Sequence, residues 1–366
     1  MTELDLRETL ERHLGGVEVP PGDPLVAIDR GQRRRRRRRV LRTGAAVLAL
    51  VAVAGSGGVL LVGGDDDPDT AHYTDAGPLD LAHGARAYAS PGEELHLGGR
   101  TFPGGDREYL DTDAVATSYG LVFYDRGRPM LLGADGEVTA LLDGPVDEGG
   151  DFHPTAKVDS KHPWVAFATR RGMTTTITIR DLASDRTIDS TSIDCESCDN
   201  LAVVAFDDGM VFVRVDQLIQ TWDVSTGKGH TVSEGGTQIT DVRNHVVLYD
   251  GKPPTMYPPG YRGRRPWTLV KGPVEASLTF DGRYVLDWSS RLRATDGGPD
   301  LVLDAGPTKG LGFWAIDSDG SVLVAAPDGA YPHYLVYDCE VPSGDCEQLG
   351  PLVTTSGDPE FIGADG

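Results

Sequence analysis

Lysine is nearly missing from this chain: 6 of its 34 basic residues are lysine and 28 are arginine. Cysteine is scarce too, with four in 366 residues and none before Cys195. That excludes a disulfide or a cysteine-based zinc site in the first half. No His-Glu-x-x-His, Gly-x-Ser-x-Gly, Gly-x-x-x-x-Gly-Lys or dinucleotide fingerprint occurs, so no common hydrolase, phosphate-loop or dinucleotide signature is present. Beyond residue 80 there is no helical apolar period of useful length, which argues against a helical bundle. Positive charge is also short in the body of the chain. Residues 1–42 carry 11 basic and 7 acidic residues, and the remaining 23 basic and 49 acidic residues leave the rest at −26. Such a domain repels nucleic acid and anionic lipid.

One long uncharged run is present, Thr43 to Gly64, with nine Val or Leu and five Ala. As a helix it is about 33 Å long, enough to cross a hydrocarbon core of about 30 Å. Seven consecutive arginines, Arg33–Arg39, and then Arg42 precede it. Arginine clusters stay on the cytoplasmic side and contact anionic lipid. The expected layout is a cytoplasmic segment over 1–42, a transmembrane helix over 43–64, a linker over 65–79 and an extracytoplasmic domain over 80–366. Localisation is then the cell membrane, single-pass, N-terminus inside. A cleaved signal is the competing reading, with Ala52-Val53-Ala54 before Gly55 as its cleavage site. A buried core helix is a third. The 42 residues ahead of the run are long for a signal n-region, and the apolar run restarts at Val59-Leu60-Leu61-Val62.

Inside the expected cytoplasmic segment, Thr2 is placed to cap a short helix with Asp5 three residues on. Leu6, Leu10 and Leu14 form one apolar stripe on it, and Gly15-Gly16 end it. A helix this short is marginal alone, so the stripe is a candidate surface for a cytoplasmic partner. Pro20, Pro21 and Pro24 then mark a tether. An acidic helix, a proline-containing tether, an arginine block and a single span resemble the membrane-bound regulators encoded beside extracytoplasmic-function sigma factors in actinobacteria. The resemblance implies coupling to a cytoplasmic regulator such as a sigma factor. The zinc-binding anti-sigma type has a His and a Cys pair in this segment, whereas here there is His13 and no cysteine.

From residue 80 onward the signal is repetition. Short runs rich in Val, Thr, Leu and aromatics alternate with Gly, Asp and Pro turns. Comparable strands begin near Val115, Val158, Val203, Val242, Leu278 and Trp314, a spacing of about 40 residues, the period of a four-stranded propeller blade. One signature falls between first and second strands: Phe206-Asp207-Asp208-Gly209, Phe280-Asp281-Gly282 and Asp317-Ser318-Asp319-Gly320. Asp-Gly supplies the positive φ of a tight hairpin. A second falls between third and fourth strands, clearest in Thr221-Trp222-Asp223-Val224-Ser225-Thr226-Gly227-Lys228. Ile179-Arg180-Asp181-Leu182 and Val336-Tyr337-Asp338-Cys339 are looser copies. These units resemble WD40-like and quinoprotein-like propeller repeats of the bacterial surface type. The expected class is all-β, a propeller of seven blades with six as the alternative count. Seven requires Glu94-Leu95-His96-Leu97 and Arg107-Glu108-Tyr109-Leu110 to be completed by the tail Pro359-Glu360-Phe361-Ile362.

The candidate site residues are few. Cys339 and Cys346 flank a turn, Pro342-Ser343-Gly344-Asp345, and read as a local disulfide; Cys195 and Cys198 read as another, with metal and redox readings alongside. Asp65-Asp66-Asp67-Pro68-Asp69 lacks the spaced turns of a calcium cage. Neither a catalytic residue, a metal ligand nor a cofactor is assigned. Lys252 to Pro266 is the one basic concentration of the acidic domain, with Tyr257, Tyr261, Arg262, Arg264 and Arg265 as a partner-binding loop. The function expected is a membrane-anchored binding, sensing or protein-interaction module for an extracytoplasmic protein or anionic polymer, with no nucleic acid. A propeller-based hydrolase or lyase acting on cell-surface carbohydrate is the alternative. Reporter fusions test the layout: a periplasmic-type reporter after Gly64 is expected to be active and one after Arg30 silent, while a mature protein beginning near Gly55 would establish a cleaved signal instead.

Overall fold

Strand after strand beyond residue 80 is buried on both faces, and the architecture follows from that. The computed structural model describes residues 78–364 apart from 90–93, 104–113, 126, 143–155, 195–200, 217, 235–236, 257–266, 274–275, 288–290, 306–312, 330–332 and 355–358. The expected segments 1–42 and 43–64 and nearly all of the linker lie outside the described residues. Among the described residues no helix is long and apolar enough to cross a membrane.

The chain is an all-β propeller of seven blades. Blade 1 takes β1 (Tyr88–Ala89), β2 (Glu94–Leu97) and β3 (Arg100–Pro103). Blade 2 is β4 (Val115–Thr117), β5 (Gly120–Asp125), β6 (Arg128–Gly133) and β7 (Val138–Ala140). Blade 3 is β8 (Ala156–Val158), β9 (Trp164–Arg171), β10 (Thr174–Asp181) and β11 (Arg186–Asp194). Blade 4 is β12 (Ala202–Asp207), β13 (Met210–Val215), β14 (Leu218–Asp223) and β15 (Lys228–Glu234). Blade 5 is β16 (Thr237–Arg243), β17 (Val246–Gly251) and β18 (Thr268–Lys271). Blade 6 is β19 (Ser277–Leu278), β20 (Tyr284–Leu286), β21 (Arg291–Ala294) and β22 (Leu301–Val302). Blade 7 is β23 (Phe313–Ile316), β24 (Val322–Pro327), β25 (His333–Cys339) and β26 (Cys346–Val353). The last strand, β27 (Glu360–Phe361), returns to blade 1 and pairs antiparallel with β1, Tyr88 opposite Phe361. The count of seven and the closure by the C-terminal tail are both as the sequence predicts.

The core is not one mass but seven clusters, one at each interface between neighbouring blades. Blade 2 shows how one strand serves two of them. Leu121 and Phe123 of β5 pack toward blade 1, while Val122 and Tyr124, one residue out of step, pack toward blade 3. Side chains alternate across a strand, so a strand sandwiched between two blades is apolar at every position. This is why Gly-Leu-Val-Phe-Tyr of β5 and Val-Leu-Val-Ala-Ala of β24 read as continuous runs.

The six strand starts read from the sequence fall in or beside the first strands of blades 2 to 7, each of which lies beside another first strand at the centre. The Asp-Gly signatures lie between first and second strands, and the Trp-Asp signature between third and fourth. Asp208 and Gly209 stand at φ +50° and +73°, as a tight primed hairpin demands. Blade 5 departs from the four-stranded expectation. After β17 the chain meets Pro253 and Pro254, which cannot donate to a returning ladder. It crosses over instead, so β18 lies parallel to β17. The first residues of that crossover pack onto blade 4: the Thr255 N–H donates to the Val232 carbonyl at 2.8 Å, and Met256 is buried beside Val232 and Ile219.

Ring closure generates a test. Ile362, beside β27, is buried in the cluster between blades 1 and 2. Ile362→Ala is expected to lower stability by about 2–5 kcal/mol, read as a shift in denaturant midpoint. An unchanged midpoint would mean that the tail does not close the ring.

Candidate functional site

Each of the first strands of blades 2 to 7 ends at or just before a buried polar or charged residue. These are Thr117, Asp159, Asp207, Arg243, Thr279 and Asp317. A buried carboxylate must find donors, and here the donors are backbone N–H groups of the next blade. Asp159 of blade 3 accepts from Gly209 of blade 4 at 2.6 Å. Asp207 of blade 4 accepts from Asn244 at 2.9 Å and His245 at 3.0 Å, both in blade 5. Asp317 of blade 7 accepts from Ala85 at 3.0 Å and Arg86 at 2.8 Å, in the segment entering blade 1. Blade 5 ties to blade 6 from two positions earlier, where Asp241 accepts from Leu278 at 2.8 Å.

The tie at Asp317 is the most elaborate because it holds the seam of the ring. The Ser318 hydroxyl also accepts from Ala85, at 2.9 Å. Gly84 stands at φ +85°, and a Cβ there would collide with the Asp317 carboxylate. Arg86 then reaches past its own backbone bond to Asp338 and Glu347 of blade 7, each at 2.8 Å. Burial drives the Asp317 pKa up to about 6, against the N–H donors that oppose the shift. Burial likewise raises the Asp338 carboxyl, with Arg86 pulling the other way.

Arg243 occupies the remaining axial space. It is 2% exposed. One Nη donates to the Val158 carbonyl of blade 3 and the other to the Ala364 carbonyl of the closing tail, each at 3.1 Å. Its Nε faces Asp241 at 3.4 Å, and its guanidinium lies 4.9 Å from the centre of the Phe280 ring. One side chain from blade 5 thus joins blades 3 and 1 across the axis.

Outside this ring sits a polar rim. His162 bonds Asp159 at 3.1 Å and stacks on Trp164 with ring centres 4.2 Å apart. Asp208 contacts Lys161 at 3.4 Å and His245 at 3.2 Å. Partial burial works against ionisation of Asp208, but Lys161 and His245 outweigh it and hold its carboxyl below the usual range. Beside His162 and Lys161 opens a cleft of about 420 Å³, lined also by Tyr119, Ser160, Phe280 and Asp319. Among the described residues no group of three His, Cys, Asp or Glu side chains is placed to hold a metal ion.

Of the site residues read from the sequence, Cys339 and Cys346 are joined as a disulfide, cross-strand partners on β25 and β26 with Cα atoms 4.0 Å apart. Cys195 and Cys198, the loop residues Tyr257, Tyr261, Arg262, Arg264 and Arg265, the stripe Leu6, Leu10 and Leu14, and the block Arg33–Arg39 all lie outside the described residues. Sequence reading treats the hairpin aspartates as turn formers only. Asp207 and Asp317 both close a first strand, but they stand two and three residues before their hairpin glycines, so aligning the repeats on Asp-Gly does not bring them together. Arg243 carries no repeat signal either, since its partners come from three separate parts of the chain.

No family model matches the sequence, and no curated protein matches it. Among solved structures, TolB from Acinetobacter baumannii is similar over 78% of this chain and 68% of its own, at 12% identity and a TM-score of 0.38. The RRP9 WD40 repeats are similar over 76% of this chain and 82% of their own, at 9% identity and a TM-score of 0.32. The strand pairing itself defines the class, a seven-bladed β-propeller.

The ring can be tested directly. Arg243→Met is expected to cost about 1–3 kcal/mol for each carbonyl left without a donor, and Arg243→Lys to recover only part, because ammonium lacks the forked geometry. Asp317 gives a second readout. Its folded-state pKa stands above the ordinary aspartate value of 3.8, so the folded state holds the proton longer. Its contribution to stability is fully present below about pH 4 and is lost as pH rises to about 6. A carboxyl-carbon NMR titration of Asp317 should show a midpoint near 6; a midpoint below 4 would refute the burial argument.

Proposed function

We propose that this protein is a membrane-anchored, extracytoplasmic β-propeller that works as a binding, sensing or protein-interaction module. Its cytoplasmic segment, 1–42, would couple the propeller to a regulator such as a sigma factor, through Leu6, Leu10 and Leu14. The observation that carries the binding reading is the commitment of the axial ionisable groups. Asp159, Asp207 and Asp317 hold backbone N–H groups of the next blade or of the ring seam, and Arg243 holds two carbonyls. A catalytic acid or base has to be within reach of substrate with a proton to exchange. These groups are scaffold, which moves function to the surfaces and loops.

A glycoside-cleaving enzyme would require two carboxyls flanking a substrate. On the described face the rim acid Asp208 is engaged by Lys161 and His245, so the carbohydrate hydrolase or lyase reading is not favoured. For the binding module, the basic loop Lys252 to Pro266 is the candidate contact for an extracytoplasmic protein or anionic polymer. Arginine supplies forked donors for carboxylate or phosphate, and tyrosine supplies contact area at low entropy cost. Replacing Arg262, Arg264 and Arg265 together with Ala is expected to leave the melting temperature nearly unchanged. Binding of polyphosphate, used as the probe, should weaken strongly and lose salt sensitivity. A triple variant that binds with wild-type strength and salt dependence would remove the loop from the binding surface.

A further inference from the structure

Among the described residues, blade 5 ends on a strand edge that no further strand pairs. The other six blades carry four strands each among the described residues, and blade 5 carries three, ending in the parallel strand β18. Its hydrogen-bond phase can be read from its ends. The Thr268 N–H donates to the His245 carbonyl at 2.9 Å, and the Gly272 N–H to the Tyr249 carbonyl at 3.0 Å. In a parallel ladder alternate residues bond the same neighbour. Residues 268, 270 and 272 therefore face β17, and the N–H and carbonyl of Leu269 and Lys271 face outward. The Lys271 carbonyl agrees with that phase, since it accepts from Nη2 of Arg293 in blade 6 at 3.1 Å. The Leu269 N–H, the Leu269 carbonyl and the Lys271 N–H have no partner among the described residues.

The side chains around this edge are distinctive for the chain. Val270 is buried between blades 5 and 6, but Leu269 is 39% exposed and Lys271 is exposed. Arg293 is the cross-strand partner of Val285, and Val285 packs in the same cluster as Val270. Cross-strand partners project from one face, so Arg293 stands on the blade 5 side. The edge thus carries an exposed leucine and Lys271 on one face and is approached by Arg293 from the blade 6 side, in a protein of net charge −22. Among acids nearby in sequence, Asp250 on β17 already accepts the Gly251 N–H.

We propose that the outer edge of β18 receives an extended acidic segment of a partner protein, which docks as the fourth strand of blade 5. Main-chain hydrogen bonds to Leu269 and Lys271 would supply affinity, and alternate acidic side chains, all on one face of the added strand, would meet Lys271. The proposal deepens the binding-module reading and rests on it.

Proline makes the test specific, because it removes one N–H at a chosen phase. Leu269→Pro deletes an outward donor and leaves the inward ladder intact, whereas Val270→Pro breaks the ladder and serves as the disruptive control. The full chain is titrated with a labelled short peptide of alternating glutamate and valine, with a lysine–valine peptide as the charge control. The glutamate peptide is expected to bind, about tenfold more weakly to Leu269→Pro, the worth of roughly one backbone hydrogen bond. Lys271→Glu, which keeps the backbone, is expected to weaken it to a similar extent and covers the case in which the proline variant does not fold. Equal binding of the lysine–valine peptide, unchanged binding by both variants, or slow amide exchange at Leu269 and Lys271 in the free chain would overturn the proposal. Polyphosphate binding that persists when the glutamate peptide fails to bind sinks the edge alone. Failure of both probes sinks the binding-module reading with it.

Discussion

The structure depends on closing a ring. Blade 1 takes its inner strand from Glu360–Phe361 and its other three from residues 88–103. A propeller left open would present two unpaired faces and a bare strand edge. The seam is accordingly held by three independent means: the β1–β27 ladder, the Asp317 tie to Ala85 and Arg86, and the Arg86 ion pairs with Asp338 and Glu347. The apolar cluster at that seam is the one in which Tyr88, Ala325, Tyr334, Val336 and Leu352 meet.

Seven small cores behave differently from one large core. Each blade is held by two neighbours, so a defect in one cluster is shared around the ring. The buried aspartates add direction to this packing, because a carboxylate reaching backbone N–H groups fixes how one blade sits against the next. Arg243 adds ties to blade 3 and to the closing tail, which are not neighbours of blade 5. Burying a guanidinium is costly unless its donors are satisfied; here two carbonyls and an aromatic face receive it, and its Nε is left 3.4 Å from Asp241 without a hydrogen bond. Polar groups at the axis therefore set the geometry that apolar clusters alone would leave loose.

Much of the fold was legible in the sequence, for physical reasons. The blade period was visible because each blade needs a first strand at the axis, and Val115, Val158, Val203, Val242, Leu278 and Trp314 mark it. The hairpins were visible because Asp-Gly is demanded by positive φ. The Cys339–Cys346 bridge was visible because a turn brings neighbours together. What stayed hidden depends on distance in space. Nothing in Asp241-Val242-Arg243 announces a side chain crossing the axis, and nothing in Asn244-His245 announces a primed turn built without glycine, at φ +47° and +64°. The three-stranded blade was half legible: the Pro-rich insertion was evident, but its effect on strand direction was not. The expected membrane span, the arginine block and the Arg-Tyr loop lie outside the described residues.

The position of β27 has a consequence for biogenesis. Ala85 and Asp317, which meet at the seam, are 232 positions apart. Synthesis proceeds from the N-terminus, and domains ordinarily fold as they emerge. This one cannot complete its first blade until Glu360 and Phe361 are available, so six blades must wait beside an unfinished one. Contacts of such long sequence separation are slow to form and leave strand edges exposed in the meantime. The period between emergence of blade 1 and arrival of Phe361 is the interval in which the chain is most open to aggregation and proteolysis.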